Sequence, residues 1–170
     1  IPPGQPRVRL RSTRRRSALS QGHFAEARAW LEQALVIWRL VGDRWAIANT
    51  LTGLGDVAGD EKDLAISHAY YTESLGINRE LDDRLALAYL FEALGCLSAA
   101  QDEPERAMQL VGMAATLRET IGAPLPPAEA SRLQDRLAPA RAALGEEALR
   151  IAENSGRALS LDEAIELAVG

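Results

Sequence analysis

The chain has 170 residues, 47% of them hydrophobic, 25% charged and 5% aromatic, with a formal net charge of −5 and one cysteine. That length suits one ordinary domain or a short repeat array. The lone Cys96 excludes an internal disulfide framework and any multi-cysteine metal site, and the longest apolar run, Leu85 to Phe91, falls far short of the roughly 18 residues of a membrane span. With no secretory pattern at the start, the expected setting is reducing and cytoplasmic. Alanine (30) and leucine (25) make up almost a third of the chain. Both are strong helix formers, and strand-favouring residues are thin, so an all-α protein is expected.

Residues 1–16 carry six arginines and no acid, a charge of +6, which leaves −11 on the rest. Pro2, Pro3, Gly4 and Pro6 deny this arm regular structure, so residues 1–20 read as a basic leader, disordered or truncated. Arg14 to Arg16 lead into Ser17, Ala18 and Leu19 without the apolar region of an export signal, and the start at Ile1 suggests a piece of something longer. An acidic body is a poor counterion for phosphate backbones, so nucleic-acid contact is disfavoured except through the arginine arm.

Apolar residues then step by three and four, as amphipathic helices require. Phe24, Ala27, Leu31, Ala34, Leu35 and Trp38 mark a first helix to about Val41, and Asp43 caps a second through Ala46, Leu51, Leu54 and Ala58. A third runs from about Lys62 to Leu81, and a fourth from a cap at Asp82 or Asp83 through Leu87, Leu90, Leu94 and Leu97. The fifth follows Asp102, carries Pro104 in its first turn and ends near Ile121. Ala123-Pro124-Leu125-Pro126-Pro127 makes a stiff connector. Beyond it, Leu133, Leu137, Ala140 and Leu144 stripe a sixth helix that Pro139 should kink or divide. A short helix at Glu146 to Glu153 is expected to stop at Asn154-Ser155-Gly156, and Ser160 with Glu163 forms a capping box for the last one.

Self-similarity appears at an interval of 40 residues: Gly42-Asp43-Arg44 with Asp82-Asp83-Arg84, Leu54-Gly55 with Leu94-Gly95, and the columns Ala27/Ser67/Ala107 and Leu31/Tyr71/Val111. A single helix pair cannot bury its apolar face alone, whereas stacked pairs can, so the units build a solenoid. Leu51-x-x-Leu54-Gly55-x-x-Ala58 followed by Ser67, Tyr71 and Ser74 resembles the tetratricopeptide pattern, as do Leu94-Gly95, Ala107, Val111 and Ala114. The unit length is similar to the longer variant found in large bacterial regulators, although Arg79 and Glu119 stand where the family has a proline. The tail segments Ile121 to Pro127, Ala143 to Ala148 and Ala158 to Ala164 resemble the C-terminal sensor region of large bacterial signal-transduction ATPase and LuxR-type transcriptional regulators. The resemblance implies a sensing module within such a regulator, without the ATPase or DNA-binding domain in these residues.

The expected architecture is therefore an all-α, right-handed tetratricopeptide-like helical-hairpin solenoid over 21–122, closed by a C-terminal helical cap over 123–170. Gly53-Leu54-Gly55-Asp56-Val57-Ala58 imitates a dinucleotide fingerprint but sits mid-helix, where the glycines serve packing, and no P-loop motif occurs. His23 and His68 lie in different repeats and outside any metal-ligand spacing, Cys96 has no basic neighbour to activate it, and Asp60, Glu61 and Asp63 straddle a turn where acids satisfy free N–H groups. Trp30, Trp38 and Trp45 are expected to pack within the first repeat. No catalytic, cofactor or metal residue is assigned, so the expected function is non-enzymatic binding of a protein, a peptide or a small effector. In the resembled family the first helix of each pair lines the concave face. The candidate groove residues are accordingly Arg44, Asn49, Thr52 and Asp56 on the second helix and Arg84, Tyr89, Glu92 and Cys96 on the fourth. The alternative is a free-standing scaffold or dimerisation adaptor, since an incomplete first pair leaves an apolar face open to a second copy.

Overall fold

The computed structural model describes the backbone of residues 7–170 and the side chains of residues 23–170. Seven helices and no strand occur among the described residues: α1 (Arg7–Val41), α2 (Arg44–Asp60), α3 (Leu64–Leu81), α4 (Arg84–Ala100), α5 (Pro104–Ile121), α6 (Pro127–Ala158) and α7 (Leu161–Val169). Helix α1 starts at Arg7, well before the expected Phe24, and so enters the segment read as a leader, whose first six residues lie outside the description.

The turns repeat as faithfully as the helices. Gly42, Asp82 and Gly122 take left-handed φ values of 78°, 52° and 66°, and Lys62 and Asp102 take 68° and 60° at the alternate turns. Each turn closes with the six-to-one backbone bond of a Schellman motif: Asp43 N to Trp38 O, Asp83 N to Asn78 O, Ala123 N to Arg118 O, Asp63 N to Ala58 O and Glu103 N to Ser98 O. Asp43, Asp63 and Asp83 then accept from the backbone N–H groups of Ala46, Ile66 and Ala86. Asp83 is thus the cap of α4 and Asp82 the left-handed residue before it; α5 has no side-chain cap and relies on Pro104 in its first turn.

Helices α2 with α3 and α4 with α5 form the tight pairs. A Cβ on Gly55 would lie 2.5 Å from the Tyr71 ring, and one on Gly95 would lie 2.8 Å from Val111 Cγ2. The first seam is laced by polar bonds, Ser67 Oγ to Gly55 O at 2.8 Å and Ser74 Oγ to Ala48 O at 2.9 Å; in the second, Ala107 and Ala114 replace both serines. Leu87, Leu90, Phe91 and Leu94 of α4 sit at the centre of the core with Tyr71 and Leu75 of α3 and Leu110 and Leu117 of α5. Each fully buried Leu or Phe there contributes roughly 2 kcal/mol. The expectation for the tryptophans holds for Trp38 alone, which packs against the cluster of Leu35, Ile47, Leu51 and Leu54; Trp30 and Trp45 are largely exposed, Trp45 at the same position at the start of its helix as the exposed Leu85.

The cap departs from the expected outline at two places. Helix α6 breaks at Gly145 (φ 72°, ψ 172°), while Pro139 remains inside its first arm, 127–144, held by the buried Leu137 and Ala140 on either side. Arg141 Nη2 reaches Glu153 Oε1 at 3.0 Å across the break, although 12 residues of straight helix would separate them by about 18 Å, so the arms fold back on each other. The second arm, 146–158, continues through Asn154-Ser155-Gly156, which is no stop signal here: a Cβ on Gly156 would lie 1.9 Å from the carbonyl oxygen of Gln109, and one on Gly112 would lie 2.4 Å from that of Glu153. Backbone meets backbone at this crossing. Helix α7 then docks Ala164 and Ala168 onto the core of α3, α4 and α5, and Arg106 donates to its last carbonyls, Leu167 O at 3.0 Å and Ala168 O at 3.2 Å.

Candidate binding groove

Tyr89 links α4 to Asp56 of α2, and the first arm of α6 packs beside α4 on the same face. Tyr89 of α4 donates to Asp56 Oδ1 of α2 at 2.7 Å, and Tyr71 of α3 donates to the same oxygen at 2.6 Å. Burial pushes the Asp56 carboxyl above its usual value, and the two phenol hydrogen bonds, which favour the carboxylate, only partly offset it; Asp60 adds repulsion and Arg136 attraction. Both phenols are held protonated, Tyr71 and Tyr89 being pushed well upward by burial first and by the Asp56 charge next.

Two clefts open on this face, with the Arg136 guanidinium in the wall of both. One, of about 310 Å³, lies between Tyr89, Ala93 and Cys96 of α4 and Glu129, Arg132 and Arg136 of α6. The other, of about 370 Å³, runs between Gly59, Lys62 and Leu64 at the α2–α3 turn, Cys96 and Ala99 of α4, and Arg136 with Pro139. Arg132 and Arg136 stand one helical turn apart and form no ion pair among the described residues. In the cleft beside Ala93 and Cys96, a phenol stands on one side and Arg132 and Arg136 stand with Glu129 on the other; with neither guanidinium in an ion pair, the cleft suits an extended segment that brings carboxylates of its own. Burial pushes the Cys96 thiol upward, which keeps it protonated and poorly nucleophilic.

The sequence-expected groove residues fall into three groups. Asp56, Tyr89 and Cys96 come together on this face. Glu92 borders it but is nine-tenths buried and committed to Arg118, whose Nε and Nη2 donate at 2.5 and 2.9 Å and whose own pKa that pairing raises. Arg44 and Arg84 pair instead with Glu80 and Asp82 near the helix turns, Asn49 is exposed, and the Thr52 hydroxyl is spent inside the pair on Ala48 O and Ser74 Oγ. Tyr71, Arg132 and Arg136 were not anticipated. Tyr71 was visible only as a packing column, and the arginines belong to a helix that sequence marked only as a cap.

No curated protein and no solved structure matched the chain. The tetratricopeptide repeat family model matches residues 16–80, which reach from α1 through α2 to the end of α3. Families of this repeat are non-catalytic interaction modules in general. With the 40-residue correspondence of turns and seams carrying the pattern on through α4 and α5, the chain is an all-α, tetratricopeptide-like helical-repeat solenoid.

Proposed function

We propose that the chain is a non-enzymatic recognition module that binds an acidic peptide segment of a partner protein along the face of α2, α4 and the first arm of α6. The observation that carries this reading is the pair Arg132 and Arg136, unpaired among the described residues and facing Tyr89 and Cys96 across a cleft. The repeats would occupy 21–122 and the cap 123–170, with the cap supplying one wall of the site. The cytoplasmic sensor part of a LuxR-type bacterial regulator is the biological setting we favour, on the resemblance of the tail. A P-loop ATPase upstream, or a helix-turn-helix domain downstream, in the same reading frame would support that setting, and stop codons close on both sides would end it.

The binding test uses fluorescein-labelled acidic decapeptides with free C-termini, titrated by anisotropy. Neutralising both guanidiniums, Arg132→Gln with Arg136→Gln, should weaken binding at least tenfold, about 1.4 kcal/mol or more. Equal affinity in the double variant contradicts the proposal. Binding of a DNA duplex that vanishes when residues 1–16 are removed would move the function to the arginine arm instead.

Self-association is a second reading, favoured by one observation. The column Trp30/Tyr70/Leu110 and the column Ile37/Ile77/Leu117 recur at the 40-residue interval. Tyr70 and Ile77 pack onto the preceding hairpin's Leu35, Leu51 and Leu54, and Leu110 and Leu117 pack onto Tyr71 and Leu75. Trp30 and Ile37 hold the same positions but are 67% and 54% exposed, beside Leu40 and Val41. A second copy presenting the same stripe would cover it, and because α7 covers the opposite end of the core, the pairing would close as a two-fold dimer.

A further inference from the structure

A cavity of about 490 Å³ lies between α5, the connector 123–126 and the two arms of α6. Glu92, Leu125 and Leu133 line both this cavity and the cleft of Tyr89, Arg132 and Arg136, so the two spaces adjoin. Three arginine–glutamate pairs fix the cavity walls. Arg118 of α5 holds Glu92 of α4, Arg157 of the second arm donates to both oxygens of Glu119 of α5 at 3.0 Å, and Arg141 of the first arm holds Glu153 of the second at 3.0 Å. Arg118 Nη1 also donates to Ala123 O at 3.2 Å, which ties down the connector that carries Leu125.

The charges around the cavity cancel, and each carboxylate already has its arginine, so nothing there calls for a charged occupant. What is left uncovered is apolar. Val111 and Ala115 of α5, Leu125 of the connector and Leu133 of α6 are all only half-buried at its lining. The adjoining cleft has the opposite character, since Arg132 and Arg136 are in no ion pair among the described residues. A fixed apolar pocket that opens beside free guanidiniums suits one segment that is acidic at one point and apolar at the next. At about 490 Å³ the space is in the size range of ligand pockets, which fits an aromatic ring better than a short aliphatic side chain.

We infer that this cavity is the anchor pocket of the groove: it takes one aromatic side chain of the same acidic segment whose carboxylates meet Arg132 and Arg136. The anchor deepens the groove reading and rests on it. Arg132 and Leu133 are consecutive in α6, so both contacts are made across a single helix. A helix is about 10 Å wide, which roughly three residues of extended chain span. The aromatic residue therefore stands within about three positions of an acidic one.

Fluorescein-labelled decapeptides titrated into the whole chain by anisotropy test this. Two of them carry a pair of glutamates and, two positions further on, either phenylalanine or serine; a second pair has the order reversed, so that either chain direction is sampled. The expected result is at least tenfold tighter binding of a phenylalanine peptide than of its serine counterpart. Ala115→Phe fills the cavity from its α5 wall and should bring that peptide down to the affinity of the serine one, which itself should be unchanged, while helicity and cooperative melting persist. On the native chain, the backbone amides of Val111, Ala115 and Leu125 should shift with the phenylalanine peptide and not with the serine one, a readout that needs no variant. Equal affinity of phenylalanine and serine peptides in both orders, with all of them weakened by Arg132→Gln plus Arg136→Gln, overturns the anchor and leaves the groove standing. Failure of all four peptides to bind overturns both. Native affinity of the phenylalanine peptide for folded Ala115→Phe also overturns the anchor.

Discussion

Gly55 and Gly95 show how a single residue sets the distance between two helices. Each stands where a Cβ would run into the facing side chain, Tyr71 or Val111, and both were legible in sequence because they recur in register with the repeat. Gly112 and Gly156 do the same between α5 and the second arm of α6, but nothing repeats there, and Gly156 reads locally as a helix stop after Asn154 and Ser155. Only the long-range contact reveals its role. Gly156→Ala should cost about 3 kcal/mol, because the added carbon meets the Gln109 carbonyl and the two backbones must part. Gly76→Ala is the control: it is exposed, mid-helix and has nothing within 4 Å, so it should raise stability by roughly 1 kcal/mol. Urea melts of the two variants check both signs. The groove was only partly legible at this scale. Asp56 and Tyr89 could be placed on facing helices from the repeat alone, but Thr52 and Glu92 had local and distant partners that a helical wheel does not display.

Among the elements, the caps were the easiest to read, since Asp43, Asp63 and Asp83 act within three residues of themselves. The capping box of α7 is the same kind of signal: Glu163 accepts from the Ser160 backbone N–H at 2.8 Å, and Ser160 Oγ accepts from Glu163 N. Where α7 docks was not legible, because His68, Arg79 and Arg106, which hold it, lie in two earlier helices. The same limit explains Pro139. Its missing N–H argues locally for a break, yet buried neighbours keep the arm intact and the chain turns at Gly145. The box also carries a pH signature. Bonds from Ser160 lower the Glu163 pKa below its ordinary 4.5, so its stabilising contribution is fully present above pH 4.5 and lost as pH falls through the lowered value. Glu163→Ala should therefore lower the thermal midpoint at pH 7, and the gap to the native chain should narrow as the pH is taken below 4.5 and through the lowered value. A gap independent of pH contradicts the assignment.

At the scale of the whole molecule, the 40-residue interval gave the solenoid, and the structure adds which seam is left open. The side of α1 that faces away from α2 is built like the sides of α3 and α5 that meet a preceding hairpin, yet Trp30 and Ile37 are exposed. Sequence could place those residues in a packing column but not say whether the column was occupied. If a second copy covers it, light scattering will show a mass that rises with concentration toward a dimer, and Trp30→Glu with Ile37→Glu will return it to the monomer; a constant monomer mass in the native chain removes this reading. The cap likewise does two jobs that sequence had compressed into one, since α7 covers the core's last apolar face while the first arm of α6 extends the groove. The most direct test of that account is a titration of ¹⁵N-labelled protein with the tightest acidic decapeptide, followed by backbone amide shifts. Perturbations concentrated on α2, α4 and residues 127–144, centred on Tyr89, Arg132 and Arg136, are the predicted result. Perturbations confined to α1, or to the outer faces of α3, α5 and α7, would contradict it.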